Sequence, residues 1–160
     1  MYMNIKKDEF AIAVLLPVAV GTVAAYLTRG AQMVFGMLNQ PPLSPPAWLF
    51  PVVWTILYVL MGIASYLVWQ QGPEREDVRD AMKVYLIQLA FNFFWSIFFF
   101  NLEWYLFSFI WLLALWGLIL VTLLKFRKIS PAAAYLMIPY LVWVTFAGYL
   151  NLAIYMLNPR

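Results

Sequence analysis

From Pro45 to Trp69 the chain reads PPAWLFPVVWTILYVLMGIASYLVW, without one charged side chain. In hydrocarbon every backbone N–H and C=O must be satisfied within the protein, and a single stretch of this length does so as a helix crossing the bilayer core with some tilt. Pro45 and Pro46 suit a first helical turn, where a missing N–H costs little. Pro51 is expected inside the span, where it frees the carbonyl four residues back and bends the helix. Trp54, Tyr58 and Met61 follow at i, i+4 and i+7, so one face carries large, polarizable groups. Such a face is either plain packing or the wall of a pocket for a flat ligand.

Composition extends the constraint to the whole chain. With 66% hydrophobic and 11% charged residues and a mean hydropathy of +0.83, its 160 residues make one integral membrane domain. Cysteine and histidine are both absent. That removes disulfides, thiolate chemistry, the commonest general base and the commonest metal ligand, so neither a metal nor a cofactor is expected. The net charge of +3 is modest and lies in juxtamembrane segments, which argues against nucleic acid as a partner.

Length and breaks define five spans: 10–27, 46–70, 81–100, 104–124 and 131–157. Between them lie Thr28–Pro45, the charged run Gly72–Asp80, the tight Asn101–Glu103 and the basic Lys125–Ser130. Ser130-Pro131 reads as an N-cap followed by proline at the first helical position. Lys6 and Lys7 before an apolar run resemble a signal peptide, but Asp8 and Glu9 interrupt the pattern, and a retained first span is expected. Five spans put the ends of the bundle's chain on opposite sides. One side collects Lys6, Lys7, Arg75, Arg79, Lys83, Lys125, Arg127 and Lys128; the other has only Arg29 and Arg160. This bias places the N-terminus in the cytoplasm of a prokaryotic cell under ordinary insertion. No span interior carries a charge, which argues against ion-driven transport.

Polar and aromatic residues then converge in one layer. The third span places Gln88, Asn92 and Trp95 on one face at i, i+4 and i+7. Two amides in hydrocarbon must face other helices, each other or an internal cavity. Trp54 lies ~12 Å in from the less basic side at the helical rise, with Asn92 at a similar depth. On the fifth span Trp143, Ala147 and Asn151 share a face, and Pro139 distorts the helix one turn before Trp143. Apolar walls, few polar anchors and a small residue are the mix a pocket needs. The Thr28–Pro45 loop, with a short amphipathic turn in AQMVFGML, lies on the same side and is placed to act as a lid. Trp48, Trp69 and Trp104 fall near span ends and suit an interfacial belt, while Trp111 and Trp116 receive no site role.

Three segments in order, PPAWLFPVVWTILYVLMGIASYLVW, QLAFNFFWSIFFF and PYLVWVTFAGYLN, resemble the translocator protein family (TspO/MBR, the peripheral benzodiazepine receptor family) across essentially the whole chain. The resemblance implies an all-α, five-helix membrane bundle, commonly homodimeric, that binds tetrapyrroles such as protoporphyrin IX, benzodiazepine-like drugs and, in some members, sterols. It also implies that Trp54, Asn92, Trp143 and Ala147 occupy pocket positions, with Gln88 one turn away. Tyr58, Trp95 and the lid residue Phe35 complete the candidate set. The chain departs from the family pattern at Val34, Phe35 and Leu43, where the family often has Trp-Tyr and Trp, and at Leu152, where Tyr is usual. A shifted match at Leu152, Tyr155 and Arg160 fits a sterol pattern easily met by chance, and no dedicated sterol role is expected.

Three functions follow as expectations. The first is a tetrapyrrole-binding membrane protein in porphyrin transport or stress signalling. The second is a light- or oxygen-dependent porphyrin-degrading enzyme using Trp54 and Trp143. The third is a ligand-responsive regulator of a partner protein.

Overall fold

The computed structural model describes residues 5–159 and is built from helices alone among them. α1 spans Lys7–Thr28, the short α2 Ala31–Gly36, α3 Leu49–Trp69 and α4 Glu76–Ser96. A π-helical turn, Ile97–Asn101, prolongs α4; α5 covers Tyr105–Ile129 and α6 Pro131–Leu157. Five of these, counting α4 with its π turn as one, are long and apolar enough to cross a membrane. Around the bundle α1 packs on α3, α3 on α6, α6 on α5, α5 on α4, and α4 returns to α1.

Several boundaries differ from the sequence reading. Helix α3 starts at Leu49, so Pro45 and Pro46 lie outside it; the Pro46 carbonyl accepts from Leu49 N–H (3.0 Å) in a turn that leads the chain in. Pro51 is consequently the third residue of α3. Its missing N–H is one that a helix start leaves unpaired anyway, so no bend is forced there. The expected charged loop is shorter because α4 begins at Glu76, with Glu76 and Asp77 favourably placed in its first turn. The helix also runs on through the π turn to Asn101, with Leu102 N–H reaching back to Ile97 O (3.1 Å), and the chain turns at Glu103 with φ 54°. At the other end of α5 the basic run is the last helical turn, to Ile129, where Arg127 and Lys128 complement the carbonyl end. Ser130 precedes α6 in extended conformation with Pro131 at the first position; its side chain makes no cap bond, but its carbonyl accepts from Ala133 N–H (3.1 Å). Arg160, part of the sterol match, lies outside the described residues.

Two glycines set how closely α1 and α3 approach. A Cβ on Gly62 would lie 2.7 Å from Val14 Cα and 2.8 Å from the Ala13 carbonyl oxygen. That carbonyl is the one Pro17, inside α1, leaves without its helical donor. A Cβ on Gly21 would fall 2.2 Å from the Tyr58 ring. At these two points the α1–α3 seam admits only backbone and the Tyr58 ring, while Phe10 meets Tyr66 edge-on (5.3 Å) at its other end.

Candidate ligand-binding site

The centre of the bundle is a hydrogen-bond relay joining α3, α4 and α6. Tyr58 Oη donates to Asn92 Oδ1 (2.8 Å), Asn92 Nδ2 donates to Tyr140 Oη (2.8 Å), and Tyr140 Oη donates to Gln88 Oε1 (2.7 Å). All four side chains are buried. Hydrogen bonds pointing the same way polarise one another, and here the relay ends on Gln88 Nε2, which meets no acceptor. Asn92 thus lies level with Tyr58, one turn deeper than Trp54. Its amide is already committed on both atoms.

Above the relay the aromatic residues interlock. Trp54 stacks on Tyr58 (5.7 Å between centroids) and meets Tyr140 edge-on (6.3 Å). Phe50 joins Trp143 (5.9 Å) to Phe35 (6.4 Å), and Phe35 in α2 also contacts Phe99 (5.7 Å) and Phe100 (5.6 Å) of the π turn. Trp95 stacks on Phe99 (5.2 Å) and donates its indole N–H to Asn151 Oδ1 (3.0 Å), whose Nδ2 donates to Tyr105 O (2.8 Å). Ala147, one helical turn from both Trp143 and Asn151, is buried.

The loop over this layer is fastened to α6. Tyr149 Oη donates to Pro42 O (2.8 Å). Asn39 N–H donates to Asn158 Oδ1 (3.0 Å), while Asn158 Nδ2 donates back to Asn39 O (3.0 Å). The loop sits over the aromatic layer as a fastened cover.

Beside the layer, α3 and α6 part into a groove of about 550 Å³ lined by Val53, Ile56, Leu57, Pro139, Val142, Trp143 and Phe146. Small-molecule sites fall in this range, ~300–1,000 Å³. Ile56 and Val142 are exposed, so the groove opens on the outer, apolar face of the bundle. Trp143 belongs both to the groove and to the interior aromatic layer, touching Phe146 on one side and Phe50 on the other, and its indole N–H is buried without an acceptor. A buried donor without an acceptor is costly.

Of the candidate residues, the structure brings Trp54, Tyr58, Gln88 and Asn92 into one cluster with Tyr140, and Phe35 and Trp143 together through Phe50. Trp95 joins the Phe35 group through Phe99 and is hydrogen-bonded to Asn151. Tyr140 was absent from the sequence-based set. The requirement that a hydroxyl in the membrane find a partner, applied to a tyrosine directly after Pro139, was the available signal. Asn39 and Asn158 had no such signal, since they lie 119 positions apart. Among the described residues no three His, Cys, Asp or Glu side chains gather where they could hold a metal ion.

The TspO/MBR family profile matches residues 13–157. The chain belongs to this family. Across the TspO/MBR family, a "Tryptophan-rich protein TspO" of Chlorobaculum tepidum is 38% identical over 158 residues, covering 98% of this chain and 100% of the relative. The "Translocator protein" of Bos taurus is 35% identical over 139 residues, 86% of this chain and 82% of the relative. A "Tryptophan-rich sensory protein" of Cereibacter sphaeroides is 36% identical over 121 residues, 76% and 74% of the two chains. Relatives from bacteria and a mammal thus align with most of this TspO/MBR chain.

Proposed function

We propose that this TspO/MBR protein binds a flat, largely apolar ligand of the tetrapyrrole class between α3 and α6. Trp143 carries the reading: it forms a wall of an open apolar groove while its buried indole N–H lacks an acceptor. A conjugated ring system stacks on such a wall, and an acceptor atom at its edge would meet the N–H once the indole turns toward the groove. Trp54 is the next ring inward, stacked on the relay that closes the floor. The names of the relatives, "translocator" and "sensory" protein, are compatible with a role exercised through ligand binding, either in porphyrin transport or in stress signalling. Uncharged span interiors favour passive handling or signalling over ion-coupled pumping.

Titration of the purified protein with protoporphyrin IX, followed by tryptophan quenching in the dark, tests this. Saturable binding should weaken about tenfold in Trp143→Phe, which keeps the ring contacts and removes the donor. Absence of saturable binding by the wild type would overturn the proposal. Product analysis after illumination of the same samples distinguishes binding from porphyrin breakdown.

A further inference from the structure

At the basic end of the bundle two ion pairs order the α4 and α5 termini. Arg75 pairs with Asp77 (2.7 Å), and Lys125 of α5 reaches Asp80 of α4. The second pair ties the last turns of α5 to the start of α4. Arg79 and Lys83 then stand one turn apart on the outward face of α4, and Arg127 and Lys128 end α5; all four are exposed. None of the four enters a salt bridge among the described residues. Glu76 and Asp80 are the carboxylates that share the outward face of α4 with Arg79 and Lys83. With Lys125 and Lys128, four cations stand against those two on this side.

The surface next to these cations is apolar. Leu86 and Ile87 follow Lys83 by one turn on α4, and Leu124 and Val121 precede Arg127 on α5; all four are exposed. Cations over branched aliphatic side chains on two adjoining helices match the division of a phospholipid into phosphate and acyl chain. We infer that the outward lip of α4 and α5 binds an anionic phospholipid, its headgroup among Arg79, Lys83 and Lys128 and its acyl chains along Leu86, Ile87, Val121 and Leu124; Arg127 stands round the helix on the α6 side. Complementing the α5 dipole or orienting the chain would also use basic residues at helix ends. Neither role demands discrimination between anionic and zwitterionic lipids.

The test is native mass spectrometry of the full chain in non-ionic detergent, titrated with dioleoylphosphatidylglycerol or dioleoylphosphatidylcholine. The wild type should prefer the anionic lipid, and at low salt the preference should fall about fivefold for each cation removed in R79Q/K83Q and in K128Q. R29Q should leave it unchanged, because Arg29 lies near the other end of the bundle, over the Tyr26 ring (3.8 Å). Should R79Q/K83Q lose its helicity by circular dichroism, R79Q and K128Q alone carry the test, each with about a fivefold loss. Equal binding of the two lipids by the wild type, or a preference kept by the folded variants, would overturn the inference. So would equal loss in R29Q, or displacement of the lipid by an equal concentration of glycerol phosphate, which would make free phosphate the ligand.

Discussion

Single atoms decide much of this bundle. Tyr140 Oη accepts from Asn92 and donates to Gln88, so Tyr140→Phe strands two amides in the bundle centre. Membrane hydrogen bonds average ~0.6 kcal/mol, whereas a buried polar group left unpaired costs ~1–3 kcal/mol. The second figure governs, because packed helices leave the stranded amides no lipid-side alternative. Tyr140→Phe should therefore lower the unfolding midpoint in detergent clearly more than Tyr135→Phe, an exposed tyrosine on the same helix; equal midpoints would show that the relay contributes no stability. Gly62→Ala is expected to cost ~1–3 kcal/mol as well, through overpacking against rigid α1 backbone at Ala13 and Val14 rather than against a movable side chain. Unchanged thermal stability of G62A would mean that the α1–α3 seam relaxes freely.

Among the helices, hydrocarbon leaves the backbone one solution, which is why five spans and an all-α bundle were legible from uncharged stretches alone. The ends were less legible. Charged residues read as loop at Glu76–Asp80 and Lys125–Ile129 are helical, because a helix leaving the membrane continues while its charged turns are solvated. For the candidate site, periodicity brought out Trp54, Tyr58, Gln88 and Asn92, each a turn from the next on its own helix. Partners from distant parts of the chain, Tyr140 to Gln88 or Asn39 to Asn158, depend on packing that no spacing encodes. The cover over the site is itself an element held by few bonds. Asn158→Ala removes the two-way clasp on Asn39 and leaves Tyr149 bonded to Pro42. Two exposed hydrogen bonds at ~0.5–1.5 kcal/mol each correspond to about tenfold faster amide exchange in residues 34–44. Hydrogen-exchange mass spectrometry reads this directly, and unchanged protection in N158A would place the cover's stability in the remaining bonds to Pro42 and Leu157 and in the Phe35 ring contacts instead.

At the scale of the whole molecule, the relay, the aromatic layer and the cover follow one another along the bundle axis, with the basic lip at the far end. The molecule is therefore polar along the membrane normal even though its span interiors carry no charge. Lys6, Lys7, Arg75, Arg79, Lys83, Lys125, Arg127 and Lys128 crowd one end, while Arg29 lies at the other. Short basic loops resist translocation, so in a bacterial inner membrane the basic end should stay in the cytoplasm and the cover over Phe35 should face outward. The absence of cysteine makes this directly measurable, because any introduced thiol is unique. Met33 in α2 and Gln71 beyond α3 are both exposed, lie on opposite ends and make no polar side-chain contact that a thiol would break. In intact cells a membrane-impermeant maleimide should label Met33→Cys and spare Gln71→Cys until the membrane is permeabilised. Labelling of Gln71→Cys alone would invert the orientation, putting the groove's covered end in the cytoplasm and the cationic lip outside.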